Sequence, residues 1–358
     1  MKHINQISAL IIILSFSILF TSCNDKTVSQ GDVWSKERAT EWYKQWGWLR
    51  GSNFQPSTAI NQLEMWQAET FDLSTIDKEL GWAADIGLNC MRVYLHHAAW
   101  AVDKDGFKMR MNQYLETADK KGISTIFVFF DDCWNATFSV GKQPDPLPGI
   151  HNSGWVRDPG DLLFSDPSLE ATLEIYVKDI LTTFKNDKRI VLWDLYNEPG
   201  NNGYGNKSLP LLTKVFEWGR SVNSSQPLSV GLWSHELPEI NRFTIENSDV
   251  ITYHNYADKD NHQQTIDSLK HYGRPMICTE YMARVFNSTF QEIMPLLKKE
   301  NVGAINWGFV SGKTNTIFKW SEPLPDLEEP PLWFHDIFRK DGSPYSIDEI
   351  NVIKSLCK

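Results

Sequence analysis

The chain is predicted to fold as a closed (β/α)8 barrel of the α/β class, on three observations. Eight short apolar runs recur along the sequence, and seven of them lead into a helical or mainly helical segment. Such alternation requires a parallel sheet, because parallel neighbours need crossover connections. An open doubly wound sheet is the competing architecture, but "RGSNFQPS" after the first run lacks G-x-G-x-x-G, and no Walker-type loop occurs. Eight units in about 310 residues fit the closed barrel.

The elements follow in order. Residues 48–54 (WLRGSNF) read as the first strand, and 72–87 as a helix with Asp72 or Ser74 as cap and apolar positions at Leu73, Ile76, Leu80 and Ala83/Ala84. Residues 89–95 (NCMRVYL) form the second strand, followed by a helix near 109–121 that closes at Gly122. STIFVFF at 124–130 has the continuous apolar character of a strand buried on both faces. A loop rich in Pro, Gly and Asp spans 131–166, then a helix covers 168–186 and the fourth strand 190–196. The second half repeats the scheme: a helix at 208–222, a strand at 227–233, a short helical segment and a strand at 249–256. A helix at 261–272, a strand at 275–281, a helix at 289–300 and a strand at 302–309 complete the eight units. After the Pro-rich 323–331, a terminal helix is expected around 331–353.

Composition narrows the partners. Lys+Arg number 35 against Asp+Glu 45, a formal charge of −10, and no basic stripe is present. Nucleic acid and strongly anionic polymers are therefore poor partners. Fifteen Trp in an acidic chain suit a ligand with apolar faces and many hydroxyls, such as a carbohydrate, although most of them are expected to fill the core. Trp193 and Trp82 lie inside elements and read as core, whereas Trp134, Trp155 and Trp233 fall in loops or at strand ends and are candidate sugar platforms.

The N-terminus reads as a targeting segment. Lys2 and His3 precede an apolar run from Ala9 to Phe20, too short to span a bilayer comfortably, and Thr21-Ser22-Cys23 follows. Residues 1–22 are expected to be a signal peptide, and Cys23 the acylated residue of an exported, membrane-anchored bacterial lipoprotein, despite Phe20 where Leu is usual. The polar segment that follows, to about residue 38 or 40, is expected to be a tether, with the barrel over 41–358 and a monomeric protein as the product. Cys90, Cys133, Cys278 and Cys357 show no C-x-x-C or Cys/His cluster, so free thiols are expected rather than a disulfide framework or a zinc site.

Functional residues of a barrel gather where strands end. Those positions hold Asn53, Arg92 with His96/His97, Asp131, Asp132 and Trp134, then Asn197 and Glu198. Trp233, Ser234 and His235, His254 and Tyr256, Glu280, and Trp307 complete the mouth. Glu198 on the fourth strand and Glu280 on the seventh would face each other across it. Two carboxylates so placed are what double-displacement glycoside cleavage requires, at a separation of roughly 5–5.5 Å.

The run W-D-L-Y-N-E-P (193–199) resembles the signature of clan A retaining glycoside hydrolases, most closely family 5 of the cellulase/mannanase type. The resemblance spans 41–355 and implies Glu198 as acid/base, Glu280 as nucleophile and Asn197 as a partner of the sugar 2-hydroxyl. It further implies that Arg92 keeps the nucleophile ionised, that His254 and Tyr256 of H-N-Y support it, and that Trp307 floors the site. No cofactor or metal is implied, and β-mannan or β-glucan is the implied substrate class. Where the family commonly has His near strand three, this chain has Asp131-Asp132-Cys133-Trp134; this acidic pair either binds hydroxyls or caps the following loop. A raised pKa is expected at Glu198. The long loop 131–166 is expected to wall one end of the cleft, favouring a pocket over an open groove.

Other chemistries fit less well. No H-x-x-x-H or H-E-x-x-H occurs, which argues against a metal-dependent hydrolase, and Ser234-His235-Glu236 has no G-x-S-x-G elbow. A carbohydrate-binding barrel without catalysis is the alternative from another class, and transglycosylation would use the same residues.

Overall fold

The computed structural model describes residues 31–358. The expected signal peptide and Cys23 lie outside the described residues, while the tether expected to reach residue 38 or 40 overlaps them. That overlap is packed. Helix α1 (Lys36–Lys44) starts at Ser35, whose side chain accepts from the Arg38 amide. Trp34, Ala39, Trp42 and Tyr43 cluster with Leu49, Cys90, Ile126, Leu192, Ile277 and Ile305, residues that line the barrel interior near the strand starts. The Trp34 amide also donates to Asp249 Oδ1. Helix α1 therefore plugs the bottom of the barrel.

The sheet is wholly parallel. Its strands are β1 (Arg50–Asn53), β2 (Cys90–Tyr94), β3 (Ser124–Asp131), β4 (Ile190–Asn197), β5 (Leu228–Ser229), β6 (Gly231–Leu232), β7 (Ile251–His254), β8 (Met276–Glu280) and β9 (Gly303–Asn306). β1 pairs with both β2 and β9, β4 pairs with β5, and β6 pairs with β7. β5 and β6 are the two halves of the expected fifth strand, interrupted at Val230, so the ends of the sheet meet in one segment and the barrel closes as predicted.

Helices cover the outside: α2 (Gln62–Trp66), α3 (Leu73–Asp85), α4 (His97–Val102), α5 (Lys104–Asp119), α6 (Leu162–Ser165), α7 (Leu169–Phe184), α8 (Leu209–Val222), α9 (Pro238–Asn247), α10 (Lys259–Lys270) and α11 (Phe290–Lys299). Their inner faces pack on strand residues such as Met91, Val93, Phe127, Phe129, Trp193 and Leu195 in one continuous apolar layer. The last helix, α12 (Ile347–Leu356), is shorter and later than the expected 331–353. Residues 331–346 instead form an irregular segment that buries Trp333, Phe334, Ile337 and Phe338. Pro344 and Gly342, at φ +87°, break any helix there.

Candidate active site

β4 explains its own abrupt end. Its eight residues are all buried through Asn197, and the next residue, Glu198, adopts φ +45°. A non-glycine side chain in the left-handed region costs roughly 1–3 kcal/mol, a strain that collects at functional sites. Here it turns the chain sharply as it leaves the barrel and leaves the Glu198 carboxylate bordering the mouth.

β8 re-aims its carboxylate by another device. Ile277 packs with the barrel interior and Cys278 with the outer layer, so strict alternation would send Glu280 outward. The register with β7 slips between Tyr253 and His254, which pairs His254 with Glu280. The extra residue restores an inward direction, as bulges beside active sites do.

Glu280 sits among donors. Arg92 Nη1 donates to its Oε1 at 2.9 Å, the Tyr94 hydroxyl lies 2.9 Å from the same oxygen, and the Tyr256 hydroxyl donates to Oε2 at 2.6 Å. Arg92 is buried, and it is held from every side. Its Nε and Nη2 both reach Asp194 Oδ2, Nη2 reaches Asn197 Oδ1 at 2.8 Å, and Nη1 reaches Asn53 Oδ1 at 2.8 Å. Burial works against the guanidinium charge, but Tyr94, Asp194 and Glu280 outweigh it and hold its pKa above the ordinary arginine value. Burial likewise keeps Tyr94 and Tyr256 as neutral hydroxyl donors, their pKa values raised well above a free tyrosine's.

Glu198 is tied to His254, whose Nδ1 lies 2.8 Å from Oε1 and 3.5 Å from Glu280 Oε2. Its other oxygen accepts from Asn201 Nδ2 and from the Cys133 thiol at 3.3 Å. Burial pushes the Glu198 pKa up, but the His254 hydrogen bond and charge, with Cys133 and Asn201, bring it below the usual carboxylate range. The raised value expected from sequence is thus corrected for the free protein, because a partner two strands away on β7 supplies a proton donor. Gly231 makes room for that partner: a Cβ there would stand 2.9 Å from His254 Nε2.

The third strand separates its two acids. Asp131 accepts from Asn197 Nδ2 at 2.9 Å, from the Cys133 amide at 2.9 Å and from Trp155 Nε1 at 2.7 Å. Burial nonetheless raises its pKa to about 7, against those donors. Asp131 borders the cavity but spends its oxygens on Asn197 and Trp155, so it orients them instead of meeting a ligand. Asp132 does not reach the cavity. Its carboxylate holds the Tyr196 hydroxyl, the Ser208 hydroxyl and the Gly200 amide, and so caps the loop after β4. The expectation that Asp132 lines the site is corrected.

The remaining residues surround a cavity of about 1080 Å³ that contains both Glu198 and Glu280. Trp307 borders it and meets Tyr94 and Trp155 edge-to-face, with ring centroids 5.9 and 5.7 Å away. Trp134 stacks on His151 at 5.2 Å, and Trp233, anchored by Nε1 to the Pro199 carbonyl at 3.1 Å, stands at the opposite rim. His96 and His97 do not line the cavity. His96 caps α4, and the His97 backbone amide and ring Nδ1 both bind Asp158.

Among the described residues two groups offer three metal-ligating atoms, His96–His97–Asp158 and Glu198–His254–Glu280. In the second the three atoms lie within 4.8 Å of one another. Hydrogen bonds already engage both sets: His97 binds Asp158 and His96 binds the Ala98 amide, while His254 binds Glu198 and Glu280 accepts from Arg92, Tyr94 and Tyr256. Cys90, Cys133, Cys278 and Cys357 are free thiols, and burial pushes the Cys133 pKa up, keeping it a neutral S–H donor toward Glu198.

The family comparison decides the class. The family described as glycosyl hydrolases family 2, TIM barrel domain, matches residues 113–318, more than half of the chain. The chain belongs to this family. The strand-end pattern had pointed most closely to family 5; the matching family model is that of family 2, and the barrel of this chain is like a family 5 structure in shape. A GH5_18 variant from Streptomyces cattleya in complex with Manb1-4GlcNAc superposes with TM-score 0.59 at 11% identity, over 86% of this chain and 80% of that one. The endo-1,4-beta-mannanase of Rhizomucor miehei gives 0.57 at 13%, over 87% and 95%. The endo-1,4-beta-D-mannanase of Thermotoga petrophila RKU-1 gives 0.54 at 16%, over 87% and 99%. At such identities the likeness is one of fold. No curated protein matches the chain.

Proposed function

We propose that this family 2 barrel is a retaining β-glycoside hydrolase for β-linked oligo- or polysaccharides, with β-mannan and β-glucan as the first substrates to test. One observation carries the reading: Glu198 and Glu280 enter the same cavity from opposite strands with carboxylate oxygens within 4.8 Å. That close approach is in keeping with a retaining pair, about 5–5.5 Å apart, rather than an inverting pair, about 6.5–9.5 Å apart.

Glu280, oriented by Arg92, Tyr94 and Tyr256, attacks the anomeric carbon, and the glycosidic oxygen leaves with a proton from Glu198. The glycosyl ester at Glu280 is then cleaved by water, whose proton returns to Glu198. His254 Nδ1 lies between the two carboxylates, 2.8 Å from Glu198 Oε1 and 3.5 Å from Glu280 Oε2. Asn197 is held by Arg92 and Asp131 for the sugar 2-hydroxyl. The solved structures that share this fold include endo-1,4-beta-mannanases, which is why mannan leads the substrate panel.

Replacing Glu280 with Ala is expected to lower kcat by at least ~10³-fold while leaving the circular dichroism spectrum intact. Proton NMR of the first-formed sugar from the wild-type enzyme is expected to show the β-anomer. Wild-type turnover by Glu280→Ala, or an α-anomer as first product, would sink the assignment.

A further inference from the structure

The half of the cavity beside Glu280 is walled by loops, with Phe286 and Trp320 partly exposed at its edge. Loops after β1, β3 and β9 interlock there: Asn61 Nδ2 donates to the Gly154 carbonyl at 2.9 Å, and the Leu324 amide to the Gly149 carbonyl at 3.1 Å. His151 Nδ1 lies 2.8 Å from the Phe318 carbonyl. Behind Trp155 and Trp307 the remaining space is a void of about 20 Å³, bordered by Thr314, Thr316 and Asp336, enough for one water at most. The half beside Glu198 opens past Asn202, Ser234 and His235, which are half-buried or exposed.

Two side chains at this end carry buried polar atoms with no hydrogen-bond partner in the protein. Asn152 is wholly buried and borders the cavity, yet neither its Oδ1 nor its Nδ2 has a hydrogen-bond partner. Its backbone is fixed on both sides, the amide donating to the Thr314 carbonyl at 2.7 Å and the carbonyl accepting from the Trp155 amide at 3.0 Å, at φ +49°. The neighbouring His151 also borders the cavity, and its Nε2 is buried and unpaired. Since Nδ1 faces a carbonyl and must carry the ring proton, Nε2 is an acceptor. A buried amide with both ends unpaired is costly, and a ligand rich in hydroxyls would satisfy it.

We propose that Asn152 and His151 form the recognition site for hydroxyls of the sugar held on the Glu280 side. A hydroxyl donates to Asn152 Oδ1 or His151 Nε2, and a neighbouring one accepts from Asn152 Nδ2. The pair discriminates among hexoses by where those hydroxyls stand. This rests on the glycosidase reading and assigns specificity to a loop the two carboxylates do not use.

The test uses Asn152→Gly, which tolerates the positive φ, and the isosteric Asn152→Asp. With 4-nitrophenyl β-mannoside, β-glucoside and β-galactoside, each variant is expected to lose at least ~10-fold in kcat/KM on the preferred sugar. The thermal midpoint of Asn152→Gly should not fall, because no internal hydrogen bond is lost. Monodeoxy analogues of the preferred glycoside should react more slowly than the parent with wild type and equally fast with Asn152→Gly at one ring position. Free mannose, glucose and galactose, assayed by thermal shift, should stabilise wild type more than the variant, a readout that needs no turnover. Absence of turnover with intact sugar-dependent stabilisation would count against the glycosidase reading and for the site. Variants within twofold of wild type in both kcat/KM and sugar stabilisation would overturn the site alone, as would a drop in midpoint without any change in deoxy-sugar selectivity.

Discussion

Arg92 and Asp194 show what a single residue pair does for the site and how far sequence can reveal it. Arg92 is the one cation in the apolar run NCMRVYL, and Asp194 the one carboxylate in IVLWDLY. In the barrel they meet, with Arg92 Nη2 2.8 Å from Asp194 Oδ2 and both side chains inaccessible to solvent. Burial raises the Asp194 pKa, and the Arg92 charge pulls against it. The pair fixes one edge of the guanidinium, leaving Nη1 for Glu280 and Nη2 for Asn197 as well. Removing one member of a buried pair strands the other charge, so Asp194→Ala is expected to cost about 3–5 kcal/mol of stability. Urea unfolding monitored by Trp fluorescence would measure it, and a loss below about 1 kcal/mol would show that Arg92 does not depend on Asp194. Each residue was visible in the sequence as a charge out of place. Their partnership was not, because 102 positions separate them and they meet past β3, inside the barrel, only once the sheet is folded. The same applies to Cys133, an ordinary thiol in the sequence that the fold puts against Glu198.

At the scale of elements, the strands were legible and the segments that close the barrel's two ends were less so. Strands are marked by continuous apolar runs, so all eight positions could be read, although the interruption of the fifth at Val230 could not. The start of helix α1 was taken for tether because Lys36, Glu37 and Arg38 are all charged. Its apolar face, Ala39, Trp42 and Tyr43, is brief, but it covers the open bottom of the barrel. Residues 331–346 erred in the opposite sense: they were read as the start of the terminal helix, while their burial arises in an irregular segment. A plug at the end away from the chemistry should act on stability and not on catalysis. Trp42→Ala is expected to destabilise the protein by about 3–5 kcal/mol. Well below the new melting temperature, its KM should match wild type. Calorimetry with parallel kinetics would separate the two, and an unchanged midpoint would mean that α1 docks without closing the core.

For the whole molecule, buried ionisable groups of opposite kinds set the pH dependence of stability. Burial raises Glu79 and Asp131 to about 7 and Asp132 and Asp336 to about 6. Burial also lowers His96, His151 and His262 to about 4, and His335 further still. In the unfolded chain the acids titrate near 4 and the histidines near 6.5. Between roughly pH 4.5 and 6 the folded protein therefore holds protons on these acids and the unfolded chain holds them on these histidines. The four gains and four losses offset, and stability is expected to be flat across that window. Above about pH 6.5 the unfolded histidines have released their protons while Glu79 and Asp131 still hold theirs in the fold. The folded state then binds more protons, so stability falls as pH rises through about 7. Below about 4.5 the unfolded acids regain protons, and stability falls again with acid, helped by Asp158. Burial opposes its charge, but His96 and His97 hold its pKa below the usual range. Urea titrations from pH 4 to 8 should trace this plateau. Glu79→Gln, far from the carboxylate pair, should soften the decline above pH 6.5 without altering the acid side. A wild-type stability that climbs steadily to pH 8 would show that these acids are ionised in the fold. Asp131 would then hold Asn197 and Trp155 as a full anion throughout the range in which the enzyme is assayed.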